Sequence, residues 1–404
     1  MVKVALIGVS GFAEVHYNNL VEFQNDGKLE IVAATVINQA EEVVKCDNLK
    51  NLGCQIFKDY QEMLSSFKNK IDICFIPTGI SLHAPMAIAA MQSGANCIIE
   101  KPAAATIEDV IAMRKVSKET QKFIAVGFQT IYVPEIQQAK KIIVDQKLGL
   151  LKRVKVLGLW PRDYKYYSRN NWAGKIKDVR GDWVLDSPFN NALAHYLNVA
   201  CFFAGKTEHT TADIKSVQAT LCRINPEIEN ADTASIKVIT KSDIEILFHT
   251  THASEEAFGP NIVIECENGT ISTDMSTITI KKNNEEDQVL TIDQSLQRKN
   301  IINALIQRVS DSEAFVCGLD IATAHTLAVN GAQKSSKIIV ADQNDIEKLN
   351  IDNDNYRYIC KDLDKVLHKC FETNTMLNSE HYPWLSVGDI VSMENYTKFE
   401  INCT

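Results

Sequence analysis

The sequence predicts an α/β domain built on a parallel sheet, followed by an α+β domain built on a mainly antiparallel open sheet. Three observations predict it. Residues 1–126 alternate short β-branched runs with helical stretches. After Gly149 the runs become apolar–polar alternations, often separated by turn residues. A chain of 404 residues also exceeds one ordinary core.

In the first part, Lys3–Ile7, Glu30–Val36, Ile71–Ile76, Asn96–Ile99 and Phe123–Val126 read as buried strands. Ala84–Gln92 and Ile107–Thr120 carry helical patterns between them, and strands spaced by helices imply βαβ units with both sheet faces covered. Glu135–Gln146 is a further helix leading into the second part. There Leu151–Trp160, Asp213–Arg223, Thr233–Thr240, Asp243–Thr251, Ile262–Glu267 and Thr277–Lys281 alternate apolar and polar residues. That pattern predicts a sheet with one covered face. Helical patterns at Asn191–Ala204, Gln297–Val309 and Ile321–Lys337 supply the cover. An Asn/Asp-rich connection at 350–355, a helix at Asp362–Glu372 and an extended tail follow. The expected domains are 1–126, 127–340 and a C-terminal stretch 341–404 that packs back on the body.

Composition narrows the function classes. The chain is 45% hydrophobic and 23% charged, the balance of a globular protein. Its net charge is −9 with no basic run, which disfavours a nucleic-acid or anionic-membrane partner. The 11 cysteines are scattered singly, without a Cys-x-x-Cys pair, so neither a disulfide frame nor a metal site is expected. Most lie in apolar runs such as Ile73-Cys74-Phe75 and read as small core residues. The N-terminus enters a strand pattern at once and no long apolar run follows, so a cytoplasmic location is expected. The sequons at Asn268, Asn395 and Asn402 are then chance matches.

Chemistry first shows at Val4-Ala-Leu-Ile-Gly8-Val-Ser10-Gly11-Phe12-Ala13, a strand running through a glycine turn into a helix. A dinucleotide-binding Rossmann fingerprint needs a tight turn, a close backbone approach to pyrophosphate and a small residue where helix meets strand. Gly8 and Ala13 meet the first and third needs; Ser10 holds the middle position, with Gly11 beside it. Phosphate would sit at the helix N-terminus, against free N–H groups and the positive dipole end. The second strand ends in Ala34-Thr35-Val36-Ile37-Asn38, with neither an acidic residue for a ribose 2′-hydroxyl nor an arginine for a 2′-phosphate. Asn38 can bond a hydroxyl, and NAD and NADP both stay open.

Two further stretches carry a resemblance. Ile76-Pro77-Thr78-Gly-Ile-Ser-Leu-His83 follows one strand, and Gly94-Ala-Asn-Cys-Ile-Ile-Glu100-Lys101-Pro102 follows the next helix. With the N-terminal turn and His16, these stretches resemble the Gfo/Idh/MocA family of NAD(P)-dependent oxidoreductases, named for glucose–fructose oxidoreductase and inositol dehydrogenase. The Glu-Lys-Pro triplet is the most diagnostic mark. The resemblance implies cofactor contacts at Pro77, Thr78, His83, Glu100 and Lys101. It also implies that Lys101 lies beside the nicotinamide and bonds the substrate hydroxyl that becomes a carbonyl. An ammonium suits that place, because it stabilises oxyanion character on the reacting oxygen.

The family also uses an Asp followed by a His at a helix start. Asp186 matches the aspartate; the usual histidine position holds Asn190, and His195 lies further along in His195-x-x-Asn198. Asn191 and His195, four apart, are expected to share a helix face. His195 is the preferred base, with Asp186 orienting it or the substrate. If His195 is structural, Lys101 with Asp186 manages the proton and Asn190 binds substrate. The loop from Trp160 to Trp172 is dense in aromatics and donors, as carbohydrate sites are, so Arg162, Tyr166, Tyr167, Arg169 and Trp172 are substrate candidates with Asn190 and Asn191. Trp384, in the tail, either closes the pocket or docks on the core.

The expected activity is hydride transfer between nicotinamide and a secondary alcohol or ketone of a sugar, polyol or sugar acid. A cofactor-retaining lyase or glycosidase acting through transient oxidation is the alternative, and a non-catalytic dinucleotide sensor ranks third. A one-sided sheet also predicts a homo-oligomer, dimer or tetramer, paired through that sheet.

Overall fold

The computed structural model describes residues 1–401; Asn402 and Cys403 lie outside the described residues. The chain begins with β1 (Val2–Ile7), α1 (Ala13–Asn25), β2 (Leu29–Thr35), α2 (Val43–Asn51), β3 (Gln55–Phe57) and α3 (Tyr60–Ser66). It continues through β4 (Ile73–Ile76), α4 (Ile80–Gln92), β5 (Asn96–Ile99), α5 (Ile107–Thr120) and β6 (Ile124–Val126). These strands form one sheet in the order β3-β2-β1-β4-β5-β6, every pair parallel. The order reverses direction between β1 and β4, which is the switch point where open α/β sheets bind ligands. Short apolar strands such as Ile73–Ile76, buried at every residue, suit a sheet covered on both faces. The sequence reading missed α2, β3 and α3. A three-residue strand has too few residues to show a period, although Asp59 caps α3 by accepting from the backbone N–H groups of Gln61 and Glu62.

After β6 come α6 (Pro134–Val144), β7 (Leu151–Leu159), α7 (Tyr164–Ser168), α8 (Ala194–Phe203), β8 (Ile214–Arg223), β9 (Thr233–Thr240) and β10 (Glu245–Thr251). Next are β11 (Phe258–Cys266), β12 (Gly269–Thr273), β13 (Thr277–Lys282), β14 (Gln288–Thr291), α9 (Gln297–Ser310) and α10 (Leu319–Ser335). The chain closes with β15 (Ile338–Val340), β16 (Ile346–Asp352), β17 (Asn355–Cys360), α11 (Leu363–Thr373) and β18 (Val391–Ser392).

The chain divides into two compact units, and the cuts differ from those expected. The first holds residues 1–104, 108–132 and 295–322; the second holds 105–107, 133–294 and the chain from 323 onward. Segment 295–322 joins the first unit through its own bonds there. The backbone N–H of Val126 donates to Cys317 (2.8 Å), and that of Cys317 donates to the Tyr132 hydroxyl (2.7 Å). A helical period shows that α9 has an apolar face but not which core the face meets.

In the second unit the sheet runs β14-β13-β12-β11-β7-β10-β9-β8-β15, with β18 also on β8. It is antiparallel except at β7–β10 and β8–β15, which are parallel. Val154, Val156 and Gly158 of β7 point to the face under α8, where an added Cβ on Gly158 would meet the Leu193 side chain at 2.6 Å. Leu157 and Leu159 point to the other face and pack with Leu363, Leu367, Cys370 and Phe371 of α11 and with Leu377 and Leu385. Between them Lys155 reaches the end of α11, donating to the Phe371 carbonyl (3.1 Å) and to Asn374 Oδ1 (3.1 Å). A cation at a helix C-terminus answers the negative dipole end.

The expected one-sided sheet is therefore covered on both sides around β7 and β10, the second cover coming from the chain's own tail. The Asn/Asp-rich stretch at 350–355 is the tip of the β16–β17 hairpin rather than a connection. Most of β16 is exposed, so no apolar period marked it. Trp384 docks on the body: its indole N–H donates to Asp345 (2.7 Å) and its ring lies against Tyr382. Among the described residues all ten cysteines are free, and all but Cys266 are buried. No helix of the described residues is long and apolar enough to cross a membrane.

Candidate functional site

On the first unit, the site is built at the C-terminal ends of β1, β4 and β5. Gly8 and Gly11 both hold positive φ, +94° and +59°, which L side chains rarely adopt. A Cβ on Gly11 would meet nothing within 4 Å, so the turn faces open space. Ala13 begins α1, and a Cβ on Gly8 would lie 3.6 Å from it, which is the close strand–helix fit that the fingerprint needs. Phe12 is half exposed beside the turn. The residues present therefore fit a pyrophosphate at the head of α1.

Ser10 is held rather than idle. Its hydroxyl donates to Glu42 Oε1 (2.7 Å), and Asn38 donates to Ser10 (3.3 Å) and to Glu41 (3.0 Å). Lys45 pairs with Glu42 (2.9 Å), and the bonds from Lys45 and then Ser10 hold the Glu42 carboxyl below its ordinary value. The sequence reading sought an acidic group at the end of β2 and found none. The fold brings one from the start of α2 instead.

Pro77 and Thr78 follow β4, and the Thr78 hydroxyl is buried with no partner among the described residues. Glu100 and Lys101 follow β5. Glu100 uses both oxygens: Oε1 accepts from His16 Nε2 (2.7 Å) and Oε2 from the backbone N–H of Lys101 (3.1 Å). Burial alone would raise this carboxyl, but the bond to His16 and the charges of His16 and Lys101 bring it below its ordinary value. A Cβ on Gly127 would sit 3.0 Å from the same carboxylate, so a side chain there would crowd it. His83, expected at the cofactor, is fully buried behind these loops. Its Nδ1 lies 2.9 Å from the Pro102 carbonyl and its Nε2 3.1 Å from that of Thr78, and burial lowers its pKa. The ring sits between the two loops without presenting surface to a ligand.

Sequence reasoning missed Arg298, which had no local motif. It lies on α9, within segment 295–322, and its guanidinium stands 5.0 Å from the centroid of the Phe12 ring. It lines a small cavity of about 20 Å³, room for roughly one water, with His16, Glu100 and Gly127. It makes no hydrogen bond or ion pair among the described residues.

On the second unit the site gathers around Asp186. Its Oδ2 accepts from the backbone N–H of Gly174 (2.6 Å) and its Oδ1 from Asn191 (2.7 Å), and the residue is 3% exposed. Leu185, just before it, is buried with φ +51°, a left-handed conformation that is strained for leucine. Asn190 props this strain by donating to the carbonyls of Val184 (3.2 Å) and Leu185 (3.1 Å). Asn190 therefore supports the loop from behind. Asn191 precedes α8 in a turn rather than sharing a helix face with His195, because the helix starts at Ala194. His195 is the second residue of that helix and half-buried. Gly174, at φ +69°, is fixed by its neighbours: a Cβ there would meet Ile228 at 2.6 Å and Tyr167 at 3.1 Å.

The aromatic loop joins this corner. Burial raises the Tyr166 and Tyr167 phenols, with the Asp232 charge adding next for Tyr167 and the Asp186 charge for Tyr166, and Tyr167 packs on Gly174, the residue that donates to Asp186. Arg169 stacks on Tyr166 at 3.6 Å and lies 5.4 Å from Trp172; Arg162 lies 4.9 Å from Tyr166 and 5.5 Å from Trp160. The tail hairpin holds the loop in place. Asn355 donates to Asp163 (2.7 Å), which caps α7, and Tyr356 stacks on Tyr164 at 5.1 Å. His252, also absent from the sequence reading, donates from Nδ1 to the Trp160 carbonyl (2.7 Å) and leaves Nε2 buried without a partner.

Residues 2–128 match the model of an oxidoreductase family with an NAD-binding Rossmann fold, and residues 136–272 match a GFO/IDH/MocA C-terminal domain. A 4-carboxy-2-hydroxymuconate-6-semialdehyde dehydrogenase of Sphingobium sp. is 25% identical over 66% of this chain and 78% of its own. The scyllo-inositol 2-dehydrogenase (NAD(+)) of Bacillus subtilis is 30% identical over 48% of this chain, and the match spans about half of that relative, 54%. Among solved structures, the WlbA dehydrogenase of Chromobacterium violaceum, in complex with NADH and UDP-GlcNAcA, aligns with a TM-score of 0.66. It is 19% identical, with 82% of this chain and 92% of that one covered, and shows the shared fold.

Proposed function

The chain belongs to the Gfo/Idh/MocA family of NAD-binding oxidoreductases, and on that premise we propose that it moves hydride between a nicotinamide and a secondary alcohol or ketone of a carbohydrate-like substrate. The observation that carries this reading is the end of β5. Glu100, held on both oxygens, presents Lys101 next to the switch point that the glycine turn also borders.

Bound there, the nicotinamide supplies the redox chemistry. The chain supplies placement and charge. The turn from Gly8 to Ala13 receives the pyrophosphate, with Arg298 as a further cation beside Phe12. The Lys101 ammonium donates to the reacting oxygen and stabilises its negative character. His195 takes the hydroxyl proton in oxidation and returns it in reduction. Asp186, fixed by Gly174 and Asn191, orients the substrate. Two carboxylates, Glu41 and Glu42, stand around Asn38 and Ser10 against the single Lys45, so the reading favours NAD over a dinucleotide with a 2′-phosphate.

We also propose a cytoplasmic homo-oligomer. Its interface lies away from the β7–β10 face that α11 covers.

Mass spectrometry of the purified protein for retained dinucleotide, then NADH formation with sugars, inositols and sugar acids, tests the reading. Hydride transfer to NAD from one of these classes is expected. No dinucleotide affinity at all would overturn it, and sugar cleavage with NAD retained through every turnover would move it to the lyase or glycosidase alternative. Light scattering that finds a strict monomer would end the oligomer proposal.

A further inference from the structure

The aromatic corner of the second unit brings two arginines to one ring. Arg162 and Arg169 flank the Tyr166 ring, and neither is paired with a carboxylate among the described residues. Each makes one bond to a backbone carbonyl, Arg162 to Pro161 (3.2 Å) and Arg169 to Tyr166 (2.5 Å). Arg169 lies 3.6 Å over the Tyr166 ring, and the remaining distances to Trp160, Tyr166 and Trp172 are 4.9–5.5 Å. A guanidinium stacked on rings keeps its N–H edge for planar oxyanions and has lost little freedom still to lose on binding.

The nearby carboxylates are already engaged. Asp186 serves Gly174 and Asn191, and Asp232 accepts from the backbone N–H groups of Ile224 and Asn225 and from the Thr233 hydroxyl. Two polar atoms in the same corner remain buried without partners: Nε of Arg162, a donor, and Nε2 of His252, an acceptor. Buried polar groups left unpaired in this way are uncommon, and a bound polar ligand resolves them.

We propose that Arg162 and Arg169 form an oxyanion clamp, and that the substrate is a sugar-like molecule bearing a carboxylate or a phosphate. His252 Nε2 then accepts from a neighbouring hydroxyl. This rests on the carbohydrate reading above and deepens it by naming the charged class.

The test compares D-glucose with D-glucuronate and D-glucose 6-phosphate on the full-length protein, by calorimetry with dinucleotide present and by NADH formation. One of the two anions is expected to bind about 10- to 100-fold more tightly than glucose, the yield of charge-assisted bonds. Which anion it is tells carboxylate from phosphate. Arg162→Gln and Arg169→Gln should each narrow that gap, mainly through KM rather than kcat. Binding of glucose equal to both anions, a gap that survives both substitutions, or no anion binding while dinucleotide still binds would each overturn the clamp. Anion binding with no hydride transfer from any sugar would instead sink the redox reading and leave the clamp standing.

Discussion

In the first unit, the groups that meet at the switch point come, apart from Arg298 of α9, from the ends of neighbouring parallel strands and the segments that directly follow them. In the second, the groups around Asp186 come from separated stretches: the aromatic loop, Gly174, the turn before α8, His252 and a hairpin from the tail. One site is set by sheet order. The other is set by side chains holding side chains. The first should therefore tolerate local change and fail only at its chemical group, whereas the second should fail through its props.

The largest expected effect separates chemistry from binding. Lys101→Met should lower kcat by about 10²–10³, the scale of losing one donor to a developing oxyanion, while dinucleotide affinity measured by fluorescence titration stays nearly unchanged. Full turnover in that variant would remove the lysine from the mechanism.

Next comes a prop. Gly174→Val puts a β-branched side chain at φ +69° and 2.6 Å from Ile228, which forces the backbone that donates to Asp186 to shift. A loss of about 2–4 kcal/mol in the second unit is expected, seen as a lower Tm and a higher KM, with dinucleotide binding retained. Equal damage to dinucleotide binding would erase the contrast between the two sites.

Acid should also find the second unit first. Burial, with the charge of Lys155, lowers His249 to about 4, and burial, with Arg162, lowers His252 to about 3. Unfolded histidine titrates near about 6.5. The unfolded chain thus binds more protons once the pH drops below that value, and stability falls as pH falls from there toward 4 and then 3. Asp232 acts in the opposite sense. Burial raises it to about 6, so the folded chain takes up its proton first and regains part of the loss. The net loss at low pH is on the order of 3–5 kcal/mol. In the first unit burial lowers His83 in the same direction, and Glu100 is held below its ordinary value. All four tryptophans (Trp160, Trp172, Trp183 and Trp384) belong to the second unit, so their fluorescence reports its unfolding alone. A flat profile between pH 7 and 4 would contradict the assignment.

The smallest effect sharpens the first site. Arg298→Ala should weaken dinucleotide binding about tenfold, close to the worth of one charged contact, and leave substrate KM alone. No change in affinity would return Arg298 to a packing role against Phe12.

How much of this the sequence discloses follows the same division. Gly8 and Ala13 were legible because a strand running through a glycine turn into a helix is a local pattern, whereas Glu100-Lys101 was legible only through the resemblance that the Glu-Lys-Pro triplet carries. Asp186 and the aromatic loop were legible as residue types only. Asn190 looked like a ligand and turned out to brace the strained Leu185, because nothing local discloses a left-handed leucine. The start of α8 was set three residues too early, since the turn before it carries the same apolar content as a helix. His83 stood in a ligand-binding stretch, yet its nitrogens meet the carbonyls of Thr78 and Pro102, a pairing made only once β4 and β5 lie side by side. Arg298 and His252 each depended on long-range packing that no spacing rule describes.

The hairpin clasp on α7 ties together residues 190 positions apart in the chain, Lys165 and Asn355. Its tip at Asn353-Asp354 stands in solvent, within reach of a protease. A single nick there would sever nothing in the sheet, yet it would slacken the grip on Tyr164 and Asp163 and dull the enzyme's hold on its substrate while the protein still migrated and melted as an intact body. Preparations that vary in specific activity should be checked for that one cut before the chemistry is blamed.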